Sequence, residues 1–425
     1  FFMSLAISPL TTNNIPQNLN PDVVIVGGGP VGLWTGIQTA LLSGKKVVIL
    51  EKHQNYMRSD IRLNIDASSL SGIPNDDKLK ELVKHWIKKP VPIKDMEESL
   101  TSRAHELGIT VIKGCLANPS TLPELFPTAK VFIGADGARS GVRKEIFGDE
   151  MRFDSNLQYM AQVQYIVKLK TQDPRHRDSY QKVKDLAETY SMQKFAEHLI
   201  IQNIMPQQDG SSKVSLRIFI DKATYDQITD ATFRNPYYFE TDLNKVPKAL
   251  KDVLIKWWGA RKEFHHENID IEGDRSNKIT VIALNSYAAK EVVKVREDGR
   301  IWTLVGDAAA AFPFFRAVNN GLLLGTKLAK SIAEGLKDAE PVREKQLASS
   351  LKSYSSYTTR RVYIERIRAF VKNLFIGMSK IYLKISNRVP WSPLKLNQHQ
   401  KTRCYDSGNA IWDQLVRVAP AQVFA

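Results

Sequence analysis

The fold is decided by DVVIVGGGPVGLWTGIQTALLSGKKVVILEK, residues 22–52. In this stretch a short apolar run leads into a glycine turn, an amphipathic helix and a second apolar strand, which predicts a βαβ unit. Gly27, Gly29 and Gly32 form the pattern GxGxxG between the first strand and the helix. Such glycines allow a tight turn, the close approach of a phosphate group to the backbone, and packing of the helix on the strand.

A carboxylate closes the second strand of this unit. Glu51 stands where dinucleotide-binding folds place the acceptor for ribose hydroxyls, and Lys52 follows it. The start of the helix carries a partial positive charge that suits phosphate. Together these features favour a nucleotide site over a glycine-rich turn without a ligand. The chain has one GxGxxG, so we expect one resident dinucleotide rather than two.

Two further motifs come at the ends of apolar strands. VFIGADGARSGVR, residues 131–143, places Asp136 beside glycines, and TLVGDAAAAFPFF, residues 303–315, places Asp307 at the start of a small-residue turn. Taken singly, each is explained as well by an ordinary strand-to-loop turn. In their order and spacing, the three motifs together are far more specific.

The three motifs resemble those of the class A flavoprotein monooxygenases, which have the fold of p-hydroxybenzoate hydroxylase. The resemblance covers residues 22 to about 335 and is strongest to the MICAL monooxygenase domain. EKHQNYMRSDIRLNI, residues 51–65, is similar to the Glu-Lys-Arg-x-x-Phe-x-Arg-x-Asn-Val segment of that group. Kynurenine monooxygenase is also similar, chiefly in GDAA and PFF.

The resemblance implies that the chain binds FAD. The three glycines and Glu51 would hold the ADP half, and Arg58 would lie near the pyrophosphate or the flavin. Lys94 stands where the family usually has an arginine that reaches the FAD phosphates, so the charge is kept without the two-pronged hydrogen bonding. The full set of predicted cofactor-binding residues is Gly27, Gly29, Gly32, Glu51, Lys52, Arg58, Lys94, Asp136, Gly137, Gly306, Asp307, Pro313 and Asn320.

The second and third motifs supply the rest of the implied site. Asp136 and Gly137 would serve both FAD and the reduced nicotinamide, which visits a shared cleft as a transient co-substrate. Asp307 would bond the ribityl chain, and Pro313 would stand beside the flavin ring. Reduced flavin would then meet O2 to form a C4a-(hydro)peroxide. The implied substrate is a protein side chain, as for MICAL, or a small aromatic.

The loop after Pro313 departs from the family. There the family has Gly-x-Gly-x-Asn-x-Gly, whose amides contact the flavin ring, whereas Arg316 and Val318 stand at glycine positions here. Asn320 aligns with the family's Asn only if one residue is dropped. Side chains at these positions would obstruct the close backbone approach that glycine allows. This keeps a second hypothesis open: a vestigial flavin-binding fold that acts as an interaction module through basic C-terminal helices.

The expected fold class is α/β. A Rossmann-like FAD-binding domain would comprise residues 20–155 and 286–342, with a mainly antiparallel substrate domain, residues 156–285, inserted between them. Alternating segments such as QYMAQVQYIVKL and KVSLRIFI predict the antiparallel strands. Residues 343–425 would form a basic helical C-terminal region. We also expect a helix over AAKEVVK, residues 288–294, and another that begins at about Gly321.

The charge is concentrated near the C-terminus. The chain of 425 residues has 60 Lys+Arg against 45 Asp+Glu, and residues 343–403 alone hold 14 against 2. In this segment apolar residues recur at helical spacing. They are Ile364, Ile367, Val371, Leu374, Phe375, Met378, Ile381 and Ile385.

Three interpretations of this basic helix stay open. It packs on the core with a solvated basic side, it binds an anionic membrane, or it binds an acidic protein partner. Nucleic acid is not expected, because no recognition fold accompanies the charge.

The remaining features of the sequence indicate no metal centre. Cys115 and Cys404 match no metal spacing or disulfide framework, and the adjacent His265 and His266 fit a surface pair better than a ligand set. Trp257 and Trp258 are expected in the core, with the edge of a substrate cleft as the alternative position. No stretch is long and uncharged enough to span a bilayer, and the first residues make a poor signal peptide. The expected location is the cytoplasm, with peripheral attachment to a membrane as the alternative.

Overall fold

A computed structural model of the chain describes residues 8–11, 15–16, 19–54, 62–169, 199–207, 209–233, 235–270, 277–312, 316–337, 342–386 and 397–418. Of the predicted site residues, Arg58 and Pro313 lie outside the described residues. In chain order, the strands are β1 Ser8–Pro9, β2 Val23–Val26, β3 Val47–Glu51, β4 Arg62–Leu63, β5 Val91–Pro92, β6 Thr110–Lys113, β7 Cys115–Leu116, β8 Val131–Gly134, β9 Met151–Leu169, β10 Ile200–Pro206, β11 Ser212–Ile220, β12 Tyr237–Tyr238, β13 Glu267–Ile269, β14 Lys278–Ala289, β15 Val293–Val295, β16 Ile301–Leu304 and β17 Ala310–Ala311.

The helices are α1 Pro30–Ser43, α2 Asp77–Lys88, α3 Ile93–Glu106, α4 Leu122–Leu125, α5 Gly141–Phe147, α6 Lys222–Asp226, α7 Phe239–Asp242, α8 Lys248–His265, α9 Ala317–Gly335, α10 Val342–Ser386 and α11 Gln398–Val418. The chain folds into two compact units. The first unit comprises Phe1–Ser155 and Asn285–Ala369, and the second comprises Asn156–Leu284 and Phe370–Ala425. Each unit has its own cluster of buried apolar side chains.

The first unit is built on a six-stranded sheet with the order β15-β16-β8-β2-β3-β6. All neighbouring strands are parallel except β15, which pairs antiparallel with β16. The strands β2, β8 and β16 are buried along their whole length, as expected where both faces of a parallel sheet are covered. Val26 pairs with Leu50 on one side and with Gly134 on the other, so these strands end at the same edge. The loops of the first two motifs therefore lie side by side at that edge.

A second sheet is antiparallel and has the order β10-β11-β9-β14-β12, with β13 added to β9 and β17 added to β14. In the second unit α8 buries its tryptophans against the apolar cluster of this sheet: Trp257 is 0% and Trp258 1% exposed. The expected core position of these tryptophans is confirmed. The two sheets and the C-terminal helices confirm the predicted fold class, a Rossmann-like α/β domain with an inserted antiparallel part and a helical extension.

Two boundaries differ from expectation. The helix predicted over AAKEVVK is wrong, because β14 continues to Ala289 and Val293–Val295 forms β15. Ala288 pairs with Ala310, and Val293 pairs with Thr303, so pairing with neighbouring strands outweighs a weak helical pattern. The helix expected from Gly321 begins four residues earlier, at Ala317.

The C-terminal region is helical in its described part. α10 has 45 residues, and α11 packs closely on α8 within the second unit. A Cβ atom at Gly259 would lie 1.6 Å from the carbonyl oxygen of Cys404, and one at Gly408 would lie 1.9 Å from that of Ile255. Glycine is therefore required on both helices where they cross. Among the described helices, none combines the length and apolarity needed to cross a membrane.

Candidate dinucleotide-binding site

The glycine turn after β2 packs against the second motif. Gly27 has φ +112°, and a Cβ atom there would lie 2.3 Å from the carbonyl oxygen of Ala135. A Cβ atom at Gly32 would lie 2.0 Å from the carbonyl oxygen of Gly27. Only glycine satisfies both the backbone conformation of Gly27 and these close approaches. The backbone of the turn therefore packs directly on itself and on Ala135, with no room for a side chain at Gly27 or Gly32.

The N-terminus of α1 has the geometry of an anion site. Gly29 is the N-cap, Pro30 takes the first helical position, and no described side chain caps the helix or puts a carboxylate in its first turn. A Cβ atom at Gly29 would meet, among the described residues, only Glu97 Oε1, at 4.0 Å. Helix N-termini with free space in front of them bind phosphate through backbone N–H groups and the helix dipole. This cradle fits the pyrophosphate of a dinucleotide.

Glu51 is fixed at the end of β3, beside this cradle. Its Oε2 accepts a hydrogen bond from the N–H of Gly28 at 2.7 Å, and its Oε1 accepts one from the N–H of His53 at 2.8 Å. Because each carboxylate oxygen can accept two hydrogen bonds, both keep capacity for a further donor. The side chain is thus oriented by the turn and remains able to accept hydroxyl groups. Lys52 is exposed next to it.

Asp136 organises the second motif from within. Its Oδ2 accepts hydrogen bonds from the N–H groups of Gly141 and Val142 at 2.7 and 3.2 Å, and Ser140 donates its hydroxyl to Oδ1. These contacts hold the loop against the first turn of α5. Gly137 has φ +84°, and a Cβ atom there would meet nothing within 4 Å. The loop therefore presents open backbone at Gly137, while the Asp136 carboxylate is engaged with the loop itself.

Arg143 and Tyr287 tie the second motif to the third. The Arg143 guanidinium donates to the carbonyl oxygens of Ala138 at 2.9 Å and of Ala308 at 3.1 Å. The Tyr287 hydroxyl donates to the carbonyl oxygen of Asp307 at 2.8 Å, and the guanidinium lies over the Tyr287 ring. Burial, helped by the charge of Asp307, raises the pKa of Tyr287, so the phenol stays protonated and keeps donating.

Our site predictions missed both of these residues. Arg143 ends the quoted second motif, so a signal for it was present, whereas nothing in the sequence singled out Tyr287.

The third motif reaches the head of α1. Gly306 has φ +65°, and a Cβ atom there would lie 3.1 Å from Val31 Cγ1. A Cβ atom at Gly321, in α9, would lie 2.5 Å from Val31 Cγ2. Asp307 lies in the short turn Gly306–Ala308 that follows β16. Residues of all three motifs thus converge on the glycine turn and the first turn of α1.

An ion cluster surrounds Arg316, at the start of α9. Arg316 donates from Nε to Glu365 Oε2 at 2.6 Å and lies 3.4 Å from Asp66 Oδ2. Glu365 is 2% exposed and also pairs with Arg361 at 3.0 Å and Arg368 at 2.7 Å. Burial works to raise the pKa of Glu365, but the hydrogen bonds and charges of the three arginines hold it below its usual value. Glu365 is therefore ionised and ties the start of α9 to α10.

The two asparagines of α9 are engaged with neighbouring segments. Asn320 donates to the carbonyl oxygen of Arg316 at 3.1 Å and accepts from Arg361 Nε at 2.7 Å. Asn319 accepts from the N–H of Asp66 at 2.8 Å and is 6% exposed. The amide of Asn320 thus serves the ion cluster, and that of Asn319 anchors the segment before Ala67–Leu70. A flavin contact for Asn320 stays a prediction.

Lys94 lies in the first turn of α3. It is exposed, and its Nζ is 3.6 Å from Glu98 Oε1. The α3 residue that reaches the Gly29 cradle is Glu97, which sequence reasoning did not consider. The side chain of α3 that lies near the cradle is thus a carboxylate, where we expected the positive charge of Lys94.

No protein-family model and no curated protein sequence matches the chain. Among solved structures, Tet(51), described as a tetracycline destructase, is 12% identical over 93% of this chain and 99% of its own, with a TM-score of 0.51. The flavin-dependent halogenase CmlS is 14% identical over 82% of this chain and 62% of its own, with a TM-score of 0.49. The flavin-dependent monooxygenase PieE, solved with FAD and substrate, is 12% identical over 95% and 74%, with a TM-score of 0.48. The likeness to Tet(51) concerns the fold.

Proposed function

We propose that this chain is an FAD-dependent monooxygenase of class A that takes electrons from NAD(P)H and consumes O2. One observation carries the proposal: residues of three separate motifs meet at the head of α1, around a cradle that fits a pyrophosphate. The order of the motifs and the fold shared with Tet(51) support it.

In this proposal each part of the site has a separate binding role. The backbone N–H groups at the start of α1 would bind the pyrophosphate, and Glu51 would accept the ribose hydroxyls. Asp307 would bond the ribityl chain. Bound FAD would supply the electron transfer and the activation of O2 that no side chain of the protein provides. NAD(P)H would be a transient co-substrate, because the sequence offers one GxGxxG only.

The protein's own contribution is to hold the third motif in place. Tyr287 and Arg143 fix the carbonyl groups of residues 307 and 308, which holds the backbone of the turn that carries Asp307. Such preorganisation keeps a binding group from having to order itself when the ligand arrives. For the substrate we propose a protein side chain, from the MICAL resemblance, with a small aromatic as the alternative.

A second candidate function is that of an interaction module on a vestigial flavin-binding fold. The ion cluster favours it, because Arg316 is bound to Glu365 where the family has glycine next to the flavin ring. In that case the chain would bind FAD weakly, or the bound FAD would not be reduced by NAD(P)H.

The absorption spectrum of the purified full chain, recorded after incubation with FAD and removal of the excess, tests the proposal. We expect a bound-flavin spectrum that bleaches with NADPH or NADH under nitrogen and recovers in air. A protein that remains colourless after added FAD would overturn the proposal and support the interaction module. A bound flavin that neither reductant bleaches, with protein and small-aromatic substrates present, would also favour the vestigial fold.

Glu97→Gln is expected to tighten FAD binding. The Glu97 side chain has an interaction within the protein, but its Oε1 lies 4.0 Å from the Cβ position of Gly29, so its negative charge still opposes a pyrophosphate in the cradle. Removing one negative charge at this distance should improve the free energy of FAD binding by roughly 1 kcal/mol, which lowers the Kd about fivefold. Quenching of flavin fluorescence on titration measures it. The control is Glu81→Gln, which removes the same charge from an exposed position on α2. Equal affinities in the two variants would place the pyrophosphate elsewhere.

A further inference from the structure

α10 carries an exposed apolar face in the second unit. Eight of its side chains are between 54% and 69% exposed although all are apolar or aromatic. We call them the apolar face of α10: Phe370, Val371, Leu374, Phe375, Met378, Ile381, Tyr382 and Ile385. At 100° per residue they cover an arc of about 140° without a gap, along about 22 Å of helix. Soluble monomers rarely expose an apolar patch of this extent without a partner.

The other side of the same helix is docked. Ile376 and Leu383 are 8% and 3% exposed, and Asn373 bonds to Gln158 of β9 at 2.7 Å. Lys380 donates to Gln158 at 3.2 Å and lies over the ring of Phe219 in β11. The helix is thus held on the antiparallel sheet, and this docking turns the apolar face away from it. The apolar face is therefore exposed on a helix whose opposite side is held by specific contacts with β9 and β11.

Positive charge borders the apolar face on both sides. On the helical projection Lys384 lies about 40° beyond one edge and Lys372 about 60° beyond the other, and both are exposed. Residues 366–405 contain nine Lys/Arg and no Asp or Glu. Long basic side chains can extend from such positions while their stems stay against apolar groups. An apolar arc between two basic borders is the arrangement of helices that lie in the plane of a membrane interface.

We infer that the apolar face of α10 docks this protein onto a bilayer surface that contains anionic lipids. Charge argues against a second copy of the chain as the partner of this face. Two copies would bring two such basic segments together, and like charges oppose that contact. A negatively charged headgroup layer complements the basic borders, while its acyl region accepts the apolar arc. Binding would not require flavin, so the inference stands apart from the proposed function.

Sedimentation of the full chain with lipid vesicles tests the inference. We expect binding to phosphatidylcholine vesicles that contain phosphatidylserine, weaker binding at high salt, and little binding to pure phosphatidylcholine. Phe370→Ser with Phe375→Ser should lower the partition coefficient roughly 100-fold, if each ring contributes about half of its full burial. The matched control changes two exposed phenylalanines elsewhere, Phe233→Ser with Phe264→Ser, and should bind like the unchanged chain.

The basic borders are tested separately. Lys372→Gln with Lys384→Gln should weaken binding about 30-fold, at roughly fivefold for each lysine near an anionic surface. Lys84→Gln with Lys88→Gln, on exposed positions of α2, makes the same change in net charge and should have no such effect. Absence of vesicle binding would overturn the inference, as would equal binding to pure phosphatidylcholine. Self-association abolished by the phenylalanine variant, or retention on polyglutamate without vesicle binding, would also overturn it.

Discussion

Gly27→Ala is expected to leave the protein unable to retain FAD. At φ +112° a Cβ atom would lie 2.3 Å from the carbonyl oxygen of Ala135, so the turn must open at the point where it meets the second motif. Opening displaces the N-terminus of α1, and the amides that would bind the pyrophosphate lose their alignment. We expect the affinity for FAD to fall at least about 100-fold, since about 3 kcal/mol of strain is added to a bound state that needs the closed turn. Flavin fluorescence titration measures the change.

Gly44→Ala is the matched control for this variant. Gly44 also has positive φ, +65°, at the end of α1, but a Cβ atom there would meet nothing within 4 Å. It therefore suffers the backbone strain of alanine in the left-handed region, about 1 kcal/mol, without a clash. We expect Gly44→Ala to bind FAD like the unchanged protein. Unaltered FAD binding by Gly27→Ala, with the variant folded, would mean that the dinucleotide does not occupy this turn.

The part of the site that the sequence predicted is the part encoded locally. Strand, glycine turn, helix and Glu51 lie within 31 consecutive residues, and each follows from hydrophobic period or glycine spacing. The fold class was predictable for the same reason, because alternating and continuous apolar runs separate the antiparallel from the parallel strands. Local pattern was misleading over AAKEVVK, where the pairing of β15 with β16 decided the structure.

Contacts between distant residues could not be predicted. Arg143 meets the carbonyl oxygen of Ala308, which is 165 residues away, and Arg316 meets Glu365 49 residues away. These pairs depend on how strands and helices are placed against each other, which no local pattern encodes. The sequence showed that α10 is amphipathic and basic but left its orientation open. Its orientation was decided by the packing of α10 on β9 and β11.

Arg261→Ala is expected to destabilise the second unit by about 3–5 kcal/mol. Arg261 and Glu267 are each 3% exposed and form a two-pronged pair, with Nε 3.0 Å from Oε2 and Nη2 bonded to Oε1. Removing the guanidinium leaves a buried carboxylate without its counter-charge, and the cost of that desolvation falls on the folded state. Urea unfolding followed by tryptophan fluorescence includes a signal from this unit, because Trp257, Trp258 and Trp412 lie in its core, while Trp34, Trp86 and Trp302 report on the first unit.

A double variant separates the charge from the packing. Arg261→Met with Glu267→Leu removes both charges and keeps apolar volume, so it should recover most of the lost stability. Acidity gives a second test. Burial raises the pKa of Glu267 even beside Arg261, and loss of the guanidinium would raise it further, so the folded variant would bind a proton at a pH where the unfolded chain has released it. Protonation then favours the folded form. The loss in free energy of unfolding caused by Arg261→Ala should therefore become smaller as pH falls from about 8 to about 5. A deficit independent of pH, unrelieved in the double variant, would show that Arg261 acts through its packing alone.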